Sequence, residues 1–404
     1  MRSYTRTTKI VATWLLAATT LLPTACSSPD AATATAAATR PASGQPDVLA
    51  AANAFLATLS AEQRRQVIVA FNATNAARWS NFPCGLGCRA GLLLKSLTPA
   101  QQAAALAVVR AATGTVAGEG FDEIQQLRAA DDDLAAKPGG GPGGPPPGGR
   151  PGGPPPGGRP PGGPPPGGAG GPFGKPGEGG YGSGIYAIAF LGTPSATGTW
   201  MLQFGGHHLA TNITFGKGAV TGASPKFEGV EPLNFTTADA QVLPKGTPCA
   251  PMRSEAAAMQ ALLQSLTPAQ RAQAQLSQTF FDVLEGPGHD GEFPKAKVGV
   301  PGRALTAAQR QLLLAAMKPW VQDADDATAA QLLADYARQL PDTYVAYAGT
   351  GRFTAQGDYV RLDGPGVWIE FVCQNGVVYH NQIHYHSIWR DHTRDYGGNF
   401  YALR

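Results

Sequence analysis

Six of the seven histidines of this chain fall in two groups. His207 and His208 stand side by side, and His380, His384, His386 and His392 lie within thirteen residues. His384-Tyr385-His386 has the period of a β-strand, which puts both imidazoles on one face with Cα atoms about 7 Å apart. Two ligands of one ion can share that span. Adjacent strand residues face opposite ways, so His207 and His208 both reach one ion only if a bulge or turn at Gly205-Gly206 re-aims one of them. Imidazole-rich sets suit zinc, copper, iron or nickel rather than magnesium or calcium. The sequence thus offers a transition-metal site (Zn, Cu or Fe) with His207, His208, His384 and His386 as ligands and Glu370 as a further ligand or catalytic base. Arg390 and Asp391 follow the second group and need partners inside a strand. They would orient the histidines from behind, with Asn212, or form a surface ion pair at a strand end. The plain alternative to a metal is a set of hydrogen-bonded histidines in a polar core or ligand cleft.

The elements that would carry these residues announce themselves by their caps. Four segments share one helix-start signature: Ser60 with Gln63, Thr98 with Gln101, Thr267 with Gln270, and Thr306 with Gln309. Each places Ser or Thr at the N-cap and Gln three residues on, a capping box. Pro99 and Pro268 occupy the first helical position, where a missing N–H costs nothing. Ser60 and Thr267 are 207 residues apart, and Thr98 and Thr306 are 208 apart. Arg89-Ala90-Gly91-Leu92 resembles Lys297-Val298-Gly299-Val300 at the same 208. Later the interval drops to 158, where Tyr186-Ala187 matches Tyr344-Val345, Gly206 matches Gly364, and Asn212 matches Glu370. The lost 50 residues are about the length of a Gly/Pro-rich segment and its flanks. The expected fold is α+β and internally duplicated. Each half has two capped helices followed by an antiparallel β-meander, and both halves form one domain with pseudo-twofold symmetry. The expected divisions are first-half helices over 47–137, a disordered Gly/Pro-rich insertion over 138–180, first-half strands over 181–245 and the second half over 246–404.

The N-terminus bounds where the protein works. Arg2, Arg6 and Lys9 precede an apolar run from Ile10 to Leu22, too short for a membrane span of about 20 residues. It suits a signal peptide. Thr24-Ala25-Cys26 then supplies small residues ahead of a cysteine, as lipoprotein processing requires. We expect residues 1–25 to be removed, Cys26 to carry the lipid, and 26–46 to form a flexible tether. The protein would be exported and lipid-anchored to the bacterial cell envelope, with the membrane as a partner through that anchor. The formal charge of +3 is accounted for by the three cations of the signal, and charged residues make up only 15% of the chain. No Lys/Arg cluster appears, which argues against nucleic acid as a partner. Cys84, Cys88, Cys249 and Cys373 would sit in an oxidising compartment, where disulfides are the default. Pairings 84–88 and 249–373 are expected.

The two histidine motifs also carry a resemblance. Gly206-His207-His208-Leu209-Ala210-Thr211-Asn212, Ile369-Glu370-Phe371 and His384-Tyr385-His386-Ser387-Ile388-Trp389-Arg390-Asp391 with Asp395-Tyr396-Gly397 resemble an uncharacterised bacterial family, the domain of unknown function 3500. Arg78-Trp79, Pro83 and Arg89-Ala90-Gly91-Leu92 fit its N-terminal pattern, and the likeness spans about Val48 to Gly397. The resemblance implies exported proteins of one shared fold and no assigned activity.

Three functions stay open. The first is a metal-binding lipoprotein, which an open coordination position would make a metal-dependent hydrolase or oxidase with Glu370 as base. The second is a metal-free envelope protein binding a small polar or peptide ligand through His208, Arg390, Trp200, Trp368 and Trp389. The third is a structural lipoprotein. No nucleophile elbow, phosphate loop or His-Glu-x-x-His helix is present.

Overall fold

A computed structural model describes residues 45–137 and 180–401. The signal sequence, Cys26, nearly all of the tether and the Gly/Pro-rich insertion lie outside the described residues. Helices α1 (Gln45–Ala57), α2 (Ala61–Val67), α3 (Ala73–Ala76), α4 (Pro99–Ala112) and α5 (Phe121–Ala135) precede the first long strands. Helices α6 (Arg253–Ser265), α7 (Pro268–Ala274), α8 (Ala307–Gln322) and α9 (Asp326–Gln339) precede the second set. The four expected helix starts are those of α2, α4, α7 and α8, and each closes a full capping box. Such a cap contributes about 1 kcal/mol. The capping glutamines also pair across helices. Gln101 donates to the Thr58 carbonyl and meets Gln63, while Gln309 donates to the Ser265 carbonyl and meets Gln270.

The expectation of two helices per half is too low. Helix α5 starts at Gly120 and α6 starts after Met252, a residue in the left-handed region, and neither has a side-chain cap. Without a capping residue there was no local signature to find. Their amphipathic faces are stabilised by packing instead.

The strands are β1 (Ile68–Val69), β2 (Leu92–Leu93), β3 (Ala187–Leu191), β4 (Trp200–Gly206), β5 (Leu209–Gly216), β6 (Ala219–Gly222), β7 (Lys226–Val230), β8 (Phe235–Thr236), β9 (Pro248–Cys249), β10 (Val300–Pro301), β11 (Tyr344–Ala348), β12 (Tyr359–Asp363), β13 (Val367–Asn375) and β14 (Ile383–Asp391). Twelve of them form one mixed sheet in the order β1-β3-β4-β5-β7-β14-β13-β12-β11-β10, with β2 on β3 and β6 on β5. Strands β8 and β9 make a separate pair. The fold is therefore mixed α+β around a large sheet. Its two meanders, β3-β4-β5 and β11-β12-β13-β14, meet through the antiparallel pair β7 and β14 at the centre.

Both faces of the sheet are covered, so most strand residues are buried whichever way they point. One face packs on the helices, joining Phe55, Val108, Ile124, Met259, Leu313 and Tyr336 to Ile188, Leu209, Ile369 and Trp389. The other is covered by loops, where Trp79, Phe280 and Tyr396 pack on Phe227, Tyr359, Val372 and Ile388. Strand alternation assigns His384, His386 and Arg390 to the loop face with Ile388, and Ser387 and Trp389 to the helix face. Cys84 and Cys88 are disulfide-bonded, with Cα atoms 5.8 Å apart. The expected second bond is not formed, because Cys249 and Cys373 are free. Cys249 lies in the separate β8-β9 pair, while Cys373 is fully buried in the core of β13.

Candidate metal centre

Strands β4 and β5 pair with Gly206 opposite Leu209, so His207 and His208 are the two residues of a hairpin turn. The turn frees them from strand alternation. His208 adopts φ 59°, uncommon for a residue with a side chain. It is held there by its N–H donating to the Asn81 carbonyl at 3.1 Å and its carbonyl accepting from the Gly229 N–H at 2.8 Å. Gly229 of β7 in turn lies opposite His386 of β14.

That row explains the meeting of distant residues. Side chains two strands apart start about 9.5 Å from each other. The strand between offers only hydrogen at Gly229, and a Cβ there would sit 2.8 Å from His386 Cδ2 and 3.0 Å from His208 Cδ2. The imidazoles lean over the glycine. Ring centroids are 5.1 Å apart for His208 and His386, 5.5 Å for His208 and His384, and 4.8 Å for His384 and His386. One ring nitrogen from each of the three lies within 4.8 Å of the others.

All three rings are buried, and the pattern of their hydrogen bonds is uneven. His384 Nδ1 and His386 Nε2 have no partner in the protein. An unpaired polar atom in such a place costs about 1–3 kcal/mol. His386 Nδ1 lies 3.0 Å from Asp282 Oδ1 and 2.9 Å from Gln374 Nε2. A carboxylate only accepts, so Asp282 places the proton on Nδ1 and leaves the lone pair on Nε2. The Gln374 amide also donates to Asp282, which holds the carboxylate against the ring. Burial lowers the His384 pKa to about 3, with His386 and His207 adding to the effect. Burial first, then the three neighbouring imidazoles, pushes His208 well below its usual range as well. Both rings are neutral at physiological pH, the form that coordinates metal.

His207 stands one layer back. Its ring stacks on His208 with centroids 3.6 Å apart, and its Nδ1 is 2.7 Å from Asp131 Oδ1 on α5. Tyr181 packs on its other side at 4.7 Å. It therefore supports His208 rather than joining the three close donors.

Glu370 has a different task from the one expected. Its carboxylate accepts from the Leu284 and Glu285 amides at 2.7 and 2.9 Å, and from Tyr359 and Trp368 at 2.8 Å each. Burial pushes its pKa up while these four donors pull it down. With every acceptor direction taken, it anchors Leu284 and Glu285 to the sheet and has no lone pair left for a metal. Asn212 donates to the Pro225 carbonyl at 2.8 Å, and none of its bonds involves the imidazoles. Arg390 is fully buried and bonds Asp290, Asp395 and the Glu285 and Gly286 carbonyls. Asp391 accepts from Tyr336, Thr393 and Arg394. Arg390 and Asp391 thus fasten the far end of β14 rather than orient the histidines. Trp200, Trp368 and Trp389 are at most 1% exposed, which leaves no aromatic face for a ligand. His289 is on the surface with Glu292, and His392 is buried against Asp363.

Sequence reading missed Asp131, Asp282, Gln374 and Gly229. Asp131 sits in the run Asp131-Asp132-Asp133, which reads as a solvated helix face. Gly229 has no local signal, because its purpose exists only across three strands.

A family model described as "Protein of unknown function (DUF3500)" matches residues 42–398. No curated protein matches the chain, and no solved structure does.

Proposed function

The chain belongs to the DUF3500 family, whose description carries no activity, and on the geometry of the site we propose that it binds a transition-metal ion through His208, His384 and His386. The observation that carries this reading is the set of three buried imidazoles with mutually close donors, two of whose nitrogens have no partner in the protein. Histidines that merely fill a polar core find hydrogen bonds. Nitrogen donors of this kind favour zinc, copper or iron. Three protein ligands leave a fourth position for water or substrate, which would suit a metal-dependent hydrolase or oxidase. Asp282, whose side chain is 45% exposed, is the nearby carboxylate open to solvent. The ligand-binding alternative has no observation in its favour, since Arg390 and the tryptophans are committed to the core.

Two further readings rest on sequence and packing. We read the chain as an exported lipoprotein anchored through Cys26. Among the described residues no helix is long and apolar enough to cross a membrane. We also read the two halves as a duplication with pseudo-twofold symmetry about β7 and β14. The matched capping boxes, the matched glutamine pairs and the sheet order support it. So do two left-handed glycines, where a Cβ on Gly91 would meet the Ile188 carbonyl and one on Gly299 the Val345 carbonyl. Those contacts equate Ile188 with Val345, one residue off the sequence match of Ala187 with Val345.

Elemental analysis of full-length protein purified without a His tag tests the metal reading. We expect about one zinc, copper or iron per chain. His384→Ala with His386→Ala should abolish it, and His289→Ala should leave it unchanged. Wild-type protein that stays metal-free after incubation with each ion would overturn the proposal.

A further inference from the structure

The opposite face of the same central strands holds a second cluster, and we infer that it is a structural site for a hard divalent cation of the calcium class, bound entirely through oxygen. Lys226 and Glu228 point from β7 toward the helices. Glu123 of α5, Glu255 of α6 and Asp323, the residue that caps the end of α8, converge on them. One oxygen from each of Glu123, Glu228, Glu255 and Asp323 lies within 4.8 Å of the others, and all four side chains are at most 2% exposed. Lys226 bonds Glu228 and Asp323. A fifth acid, Glu119, is buried nearby and interacts with Glu228 and Lys226. Five acids around one ammonium leave a large surplus of negative charge away from water. Protons or a further cation must neutralise it.

The leftover oxygens mark where a cation would bind. Glu123 gives Oε1 to the Met252 amide, Glu255 gives Oε2 to the Ser254 hydroxyl, and Glu228 gives Oε1 to Lys226. The second oxygens, Glu123 Oε2, Glu228 Oε2 and Glu255 Oε1, have no partner in the protein, and neither does Glu119 Oε2. Each of these buried oxygens is an open acceptor position that a cation among them would fill. An observation independent of the acids points the same way. Thr211 of β5 lies directly opposite Lys226 on the same face, is 2% exposed, and leaves its Oγ1 without a partner. A cation among the acids would take that hydroxyl as a neutral ligand. The donors are oxygen alone, which selects calcium, magnesium or manganese over the softer metals of the imidazole face. Bound there, the ion would tie α5, α6 and the end of α8 to β7. It would hold the helical layers of both halves to one strand.

The test uses full-length protein stripped with chelator, then titrated with calcium alone and with terbium(III) as a luminescent oxygen-seeking probe. Trp389, whose Cα pairs with that of Lys226, supplies the sensitiser. We expect one saturable site per chain and a calcium-dependent rise in Tm that chelator reverses. Glu123→Gln with Glu255→Gln should weaken terbium binding at least tenfold, while His384→Ala with His386→Ala should leave it unchanged. If the double Gln variant does not fold, Thr211→Val removes a single ligand and should weaken binding severalfold. Folded wild-type protein with no saturable terbium signal and a Tm indifferent to calcium and chelator would overturn the inference. It would mean that protons and Lys226 alone neutralise the cluster.

Discussion

Glu228 and Gly229 are neighbours in β7, yet one belongs to a cluster of carboxylates under the helices and the other to a cluster of imidazoles under the loops. Burial acts on both and drives them in opposite directions. An imidazole removed from water loses its proton and becomes a neutral ligand, as burial does for His208 and His384. A carboxyl removed from water must either keep its proton or stand beside a cation, and on the helix face Lys226 supplies one. Strand alternation alone separates the two chemistries. One face is suited to a borderline metal with an open position, the other to a hard ion enclosed by structure.

The largest effect should come from the charge on the helix face. Lys226→Met removes the ammonium from Glu228 and Asp323, and breaking a buried pair of this kind costs about 3–5 kcal/mol. Urea unfolding in chelator should show that loss, and added calcium should restore much of it. A variant as stable as wild type in chelator would mean the carboxylates need no counter-ion, and the contrast between the faces would collapse. Gly229→Ala strikes the other face. Its Cβ would crowd His386, His208 and the Tyr385 carbonyl, and overpacking of this sort costs about 1–3 kcal/mol. Transition-metal affinity should fall at least tenfold while terbium binding stays within twofold, and equal losses at both would show the sites are not independent.

The finest test is the sign of the pH dependence in metal-free protein. His384 titrates near 3 in the folded state against 6.5 when unperturbed. The unfolded chain therefore binds more protons between those values, and this contribution to stability rises with pH across that window. Glu123, Glu255 and Asp323 are raised by burial first and by Glu228 next. Their contribution is complete below the ordinary carboxyl range and is lost as pH climbs through the raised values. The urea midpoint should trace a dome. His384→Ala should flatten its acidic limb and Glu255→Gln its alkaline limb. Variants that leave their own limbs unaltered would refute the assignment of those limbs to the two faces.

The sequence determined what local chemistry can encode. Capping boxes fixed the starts of α2, α4, α7 and α8, because each is closed by residues within one turn. Alternation put His384 and His386 on one face, and the pair of histidines after Gly205-Gly206 asked for a turn that the β4-β5 hairpin supplies. The uncapped helices α5 and α6 were illegible for the complementary reason, since packing rather than a local bond starts them. Only the tertiary structure decided which histidine stands among the three close donors, because His208 meets His386 across a third strand whose contribution is a missing side chain. It also took Glu370 and Arg390 out of the chemistry, by filling their hydrogen bonds largely from residues 284–290, which no spacing rule connects to them. The carboxylate cluster had no sequence signature at all. Its members lie on three helical segments and one strand, and what unites them is charge drawn to a single point inside the protein, which exists only once the chain has folded.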